Sequence, residues 1–194
     1  MTALPLPRQR VLADVVPGGL VRDTALVLGG AAFIGLLAQF AIPLGFTPVP
    51  LTLGTFAVLL TGAALGPLRG LLSTGVYLLA GMAGVPWFAG HASGYGFASF
   101  GYLIGFVLAA GLVGWLARRG ADRTPVRTAL TMVLGNVVIY AIGVSYLMAS
   151  TGMDLRTGLD QGMVPFLVGD GLKILAAAGL LPGAWALVRR VESH

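Results

Sequence analysis

The sequence predicts an all-α polytopic membrane protein with six transmembrane helices and both termini in the cytoplasm. Three observations carry this. Of 194 residues, 57% are hydrophobic and only 10% are charged, against about 25% charged in an ordinary soluble domain. The mean hydropathy is +0.90, and several apolar stretches approach the roughly 20 residues that cross a bilayer. These stretches are apolar all round, whereas the strands of a transmembrane barrel alternate apolar and polar residues. A water-soluble fold of this length would have too few charges to cover its surface.

The elements follow in order. Residues 1–23 carry Arg8, Arg10, Asp14, Arg22 and Asp23 and read as a cytoplasmic N-terminal segment. The apolar run from Thr24 to Pro43 is longer than a signal-peptide core of about 7–15 residues, so it reads as the first span. The second, Leu51 to Leu65, is short and closes at Gly66-Pro67; the third, Gly70 to Gly84, is also short. The fourth runs from Ala98 to Ala117, the fifth from Ala129 to Ser150 and the sixth from Val164 to Val188. The spans lie within one domain, 24–188, and 189–194 form a cytoplasmic tail. Short spans either thin the bilayer or stop before crossing it.

Orientation follows from arginine. An inside N-terminus puts Arg8, Arg10, Arg22, Arg69, Arg118, Arg119, Arg123, Arg127, Arg189 and Arg190 on the cytoplasmic side and only Arg156 outside, as the positive-inside rule requires. The sequence pI near 10.2 is accounted for by these loops, not by nucleic acid. The outer connections are then Leu44–Pro50, Val85–Phe97 and Thr151–Met163. The first two are rich in proline, glycine and aromatics. They read either as plain turns with interfacial aromatics or as covers for a cavity that opens outward.

Several chemistries are excluded. There is no cysteine, hence no disulfide, thiolate metal site or cysteine nucleophile. The sole lysine, Lys173, follows Leu172 and precedes Ile174, so no P-loop exists. "GVSYL" (Gly143–Leu147) lacks the final glycine of a nucleophile elbow. The chain does not read as an enzyme, and neither cofactor nor metal is expected in it.

The chemistry concentrates in "GDGLK" (Gly169–Lys173). Asp170 and Lys173 are three positions apart and share one helix face. Either would cost about 2.5–3.5 kcal/mol facing lipid at a helix centre. Lys173 is separated from Arg189 by about 15 residues, too far to reach the inner surface easily, and lies about 15 Å by helical rise from the outer end of its span. The pair therefore faces the bundle interior or a wet cavity in the outer half of the membrane. It is either an ion pair closed on itself or a binding site for a polar small molecule. Gln39, Asn136, Tyr77, Tyr102 and Tyr140 read as interhelical hydrogen-bond formers. Small residues recur at Ala25–Gly29, Ala31–Gly35 and Gly101–Gly105, a spacing that lets helices approach closely.

Four segments, Ile42–Gly70, Val76–Gly90, Gly101–Phe106 and Val164–Lys173, together resemble the BioY family. These are the biotin-specific substrate-binding (S) components of energy-coupling factor (ECF) transporters. The resemblance spans about Thr24 to Leu181 and implies a six-helix protein of the bacterial cytoplasmic membrane that captures biotin from outside. It implies partners too: a transmembrane coupling protein and two ATPases, which would use the ATP. Asp170 and Lys173 match the family's acidic and basic pair; Pro48, Val49, Pro50 and Thr52 match its first outer loop. Phe88 and Gly90 match the loop after the third helix, and Tyr102 the start of the fourth. Ala31 and Gly35 match a small-residue face that docks on the coupling subunit. The chain departs from the family pattern at Gly54, at Phe97–Tyr102 and at Gly90-His91, where His91 and Ser99 are candidate replacement contacts. Two other readings use the same features. A secondary permease would usually show internal repeats, and none is evident. An assembly subunit would need no ligand site.

Overall fold

The computed structural model describes residues 10–193. Parts of the expected terminal segments, residues 1–9 with Arg8 and residue 194, lie outside the described residues. A 3-10 turn at Leu12–Val15 leads into α1 (Leu20–Ala38). Two short antiparallel strands, β1 (Ala41–Ile42) and β2 (Leu51–Thr52), pair Ala41 with Thr52 and Ile42 with Leu51. Helices α2 (Gly54–Leu65), α3 (Pro67–Met82), α4 (Phe100–Arg118), α5 (Pro125–Thr151), α6 (Leu155–Gly162) and α7 (Leu167–Glu192) follow.

Among the described residues, four segments are long and apolar enough to cross a membrane: Leu20–Ala38, Phe100–Arg118, Pro125–Thr151 and Leu155–Glu192. Helix α2 is apolar but spans only 12 residues, about 18 Å of rise against a bilayer core of about 30 Å. Helix α3, with 16 residues, is shorter than a full span as well. The sequence expectation of short second and third spans therefore has a physical counterpart. The two helices form a hairpin about Gly66, whose φ of 84° is open to glycine and strained for other residues.

Local chemistry explains where the boundaries differ from expectation. Helix α1 stops at Ala38, before Pro43, because the chain beyond it turns into the β1–β2 pair. Helix α5 starts at Pro125, one turn early, since Thr124 caps it by accepting from the Arg127 N–H and proline suits the first helical position. The outer connection Thr151–Met163 is not merely a loop. It contains α6, capped by Asp154, which accepts from the Thr157 N–H at 2.9 Å.

Helix α4 is the centre of the bundle and packs on α2, α3 and α5. Glycine makes this possible. A Cβ at Gly62 of α2 would lie 2.6 Å from the Ala110 carbonyl oxygen of α4, and one at Gly105 of α4 would lie 3.0 Å from the Ile139 Cα of α5. We expect Gly62→Ala to force α2 from α4 and to cost about 1–3 kcal/mol. The check is a lower thermal midpoint in detergent; an unchanged midpoint would show that the contact relaxes.

The end of the bundle opposite the β1–β2 pair and α6 gathers most of the charges. Arg69 of α3 pairs with Asp14 at 2.8 Å and with Asp23 at 3.1 Å. Burial would raise the Asp14 carboxyl, but the Arg69 hydrogen bond and charge, with the Val11 N–H, hold it below its ordinary value. This pairing stabilises the fold at neutral pH and is lost as pH falls through that lowered value. Nearby, Asp122, fully buried between α4 and α5, accepts from the Trp185 indole N–H at 2.6 Å.

The expected docking pair on α1 lies inside the packing. Ala31 is 1% exposed and Gly35 is buried. Both face inward, and a Cβ on Gly35 would meet the Trp87 ring at 3.0 Å. The sequence spacing marked a close-packed stripe correctly, but its neighbours are this chain's own residues. The small residues α1 leaves exposed are Ala25, Gly29 and Ala32.

Candidate functional site

Asp170 sits in the first turn of α7, where the helix dipole favours a carboxylate. Lys173, one turn on, donates to Asp170 Oδ1 at 3.0 Å and to Thr55 Oγ1, in the first turn of α2, at 2.8 Å. Tyr140 of α5 donates from Oη to the other carboxylate oxygen, Oδ2. Three helices thus meet at one ion pair. Asp170 is only 4% exposed. The pair is fixed but not saturated. An ammonium has three N–H donors and a carboxylate about four acceptor sites, so among the described residues one donor and further lone pairs stay available.

That capacity faces a cavity of about 450 Å³, within the range of small-molecule sites. Residues from the end of α1, the β1–β2 hairpin, the start of α2, the loop before α4 and α4, α5 and α7 line it. Its remaining walls are mostly apolar. Tyr77 meets Phe88 edge-on at 5.3 Å and Phe88 meets Phe97 at 6.0 Å, while Phe100, outside the lining, backs Phe97 edge-on at 5.6 Å. Such tilted pairs are the favoured aromatic geometry and make a stiff wall.

Of the residues expected from sequence, Pro48, Val49, Pro50, Thr52, Phe88, Ser99, Tyr102, Asp170 and Lys173 line this one cavity. Tyr102 offers its ring, since its hydroxyl donates to the Gly162 carbonyl at 2.7 Å. The Thr52 hydroxyl accepts from the Gly54 N–H at 3.0 Å and keeps its own hydrogen to give. Gly90 and His91 lie apart from this cavity. Both are exposed and neither is part of the lining. They form the exposed tip of a turn that buries Phe88.

Sequence reasoning missed Thr55 and undervalued Tyr140. Thr55 carries no sequence signal, for only the start of α2 at Gly54 brings it under Lys173. Tyr140 does form the expected interhelical bond, but to the carboxylate itself. Tyr140→Phe keeps the ring and removes the hydroxyl. A hydrogen bond to a charged group contributes about 1.5–3 kcal/mol, so ligand affinity should fall about tenfold or more with the fold intact. Calorimetric titration measures this; an unchanged affinity would show that the Tyr140 hydroxyl does not orient Asp170.

These features define a helical membrane protein with a mostly apolar small-molecule pocket built around one buried ion pair. The BioY family model matches residues 8–190, and the chain belongs to that family. It is 34% identical over 165 residues to the biotin transporter BioY of Rhizobium etli, covering 80% of this chain and 87% of the relative. It is 35% identical over 158 residues to the biotin transporter BioY of Thermotoga maritima, covering 80% and 86%. Among solved structures, it resembles the S-component for biotin from an ECF-type ABC transporter, with a TM-score of 0.74 and 25% identity, over 90% of this chain and 92% of that one.

Proposed function

We propose that this protein binds biotin in the cavity and serves as the substrate-capture (S) subunit of an ECF transporter. The observation that carries this reading is the unsaturated Asp170–Lys173 pair on an otherwise apolar cavity. Biotin offers a ureido ring with two N–H donors and a carbonyl, an apolar thioether ring and a carboxylate tail. Asp170 accepts from ligand N–H groups, Lys173 donates to a carbonyl or carboxylate, and the aromatic wall covers the apolar ring. The names of the relatives support the same ligand.

In this reading the chain crosses the bacterial cytoplasmic membrane six times, with α2 and α3 as short crossings and both termini inside. The arginine bias supports it: the start of α3, the end of α4 with the turn after it, and the end of α7 hold Arg69, Arg118, Arg119, Arg123, Arg189 and Arg190, while the cavity lies at the other end. The chain is not an enzyme, and ATP is used by two partner ATPases. The transmembrane coupling protein docks on α1 through the small residues left exposed, Ala25 and Gly29. These border an apolar groove of about 480 Å³ between α1, α2 and α7.

The test is binding of radiolabelled biotin to the purified chain. Saturable binding is expected without ATP or metal. Absence of binding by folded protein, in detergent and in lipid alike, would reject the reading.

A further inference from the structure

Gln39 caps the C-terminus of α1, and its side chain spans the gap to the loop before α4. Its Nε2 donates toward the Gly35 carbonyl at 2.9 Å, the Trp87 carbonyl at 2.8 Å and the Phe88 carbonyl at 3.2 Å, the three acceptors sharing two hydrogens. Its Oε1 accepts from the His91 N–H at 3.2 Å. One side chain thus serves four backbone groups.

The turn it holds is strained. Gly90 and His91 are consecutive left-handed residues, with φ of 67° and 60°, and His91 is the one non-glycine residue with positive φ among the described residues. The Phe88 N–H closes the turn by donating to the Ala92 carbonyl at 3.0 Å. Such conformations persist only where the surroundings over-determine them. The same turn drives Phe88, 2% exposed, into the cavity wall. Beside it, the Trp87 indole N–H donates to the Tyr77 carbonyl at 2.9 Å, and its ring lies on Gly35.

We propose that Gln39 is the catch that keeps this turn, and Phe88 with it, closed on the cavity, and so sets how fast a bound ligand escapes. Gln39 does not line the cavity; it is a positioning residue. The contribution of His91 is its backbone amide, which explains how an exposed histidine serves the site. The proposal rests on the cavity being the biotin site.

Three variants test it. Gln39→Leu removes all four bonds. Gln39→Glu keeps the length and an acceptor for His91 but removes both donors. Gly35→Ala leaves Gln39 intact and sets a Cβ 3.0 Å from the Trp87 ring. Two rates are measured: release of labelled biotin in a chase, and amide hydrogen exchange of residues 85–99 without ligand. We expect about tenfold or more faster release in both Gln39 variants, a smaller rise in Gly35→Ala, and faster exchange of the loop. Association should be unchanged or quicker. General damage to the fold would instead lower the fraction that binds and leave release from the remainder unchanged. Release within twofold of wild type in all three variants, with exchange unchanged, overturns the proposal. Should the wild-type chain bind no biotin, the ligand reading fails. The exchange measurement then decides the catch alone: faster exchange in the Gln39 variants supports it, and unchanged exchange overturns it.

Discussion

Asp170→Asn is expected to weaken biotin binding by tenfold or more while the protein stays folded. The carboxylate accepts from Lys173 on one oxygen and from Tyr140 on the other. An amide of the same shape must turn its NH2 toward one of those two donors, so one contact is lost whichever way it flips. It also gives up an acceptor for ligand N–H groups. Bonds to charged groups contribute about 1.5–3 kcal/mol each, and about 1.4 kcal/mol is one decade of affinity. Lys173→Met keeps the side-chain length, removes the bond to Thr55 and strands a carboxylate at a site that is 4% exposed; it should lose at least as much. The double variant separates two roles. If the pair serves only structure, removing both charges together should restore the fold and binding alike, because a matched apolar replacement of a buried pair is often neutral. If the pair holds the ligand, the double variant should fold and fail to bind. Near-normal affinity in the double variant, measured by equilibrium binding, would overturn the site assignment.

Gly29→Trp is expected to abolish uptake in cells that carry the whole transporter and to leave biotin binding by the isolated chain unchanged. Gly29 is exposed, and nothing lies within 4 Å of a Cβ built on it. The ring therefore costs the fold little and projects into the groove between α1, α2 and α7. Membrane helices associate by close packing of small residues, so a bulky ring there should block a partner helix. Gly35→Trp is the contrasting variant. Its ring would collide with Trp87, so binding and uptake should fall together. Normal uptake with Gly29→Trp would remove the coupling subunit from this face.

Much of the site was legible in the sequence because charge is rare in an apolar chain. Asp170 and Lys173 at three-residue spacing within an apolar stretch leave few physical options, and their common face follows from helix geometry alone. The proline-rich Pro48–Thr52 segment and Phe88 were legible as a likeness of motif, and both line the cavity. Periodicity said nothing about which way Gly90 and His91 point, since a turn with two left-handed residues reverses the side-chain directions that a simple loop would suggest. The α1 stripe shows the same limit. Spacing identifies a face made for close approach, but Ala31–Gly35 and Ala25–Gly29 look alike in sequence, and only the position of Trp87 makes the first pair internal.

The sequence by itself determined the class: composition requires a lipid-embedded helical bundle, and an intramembrane ion pair requires an interior partner. The tertiary structure decided what the pair does with its remaining capacity. Thr55 and Tyr140 reach it from helices that lie 118 and 30 positions away along the chain, and Gln39 reaches a turn 48 to 52 positions away. Hydrogen bonds depend on position and angle within a fraction of an ångström. No local pattern encodes such convergence, because it arises only when α4, with its glycine contacts, draws the other helices to one centre.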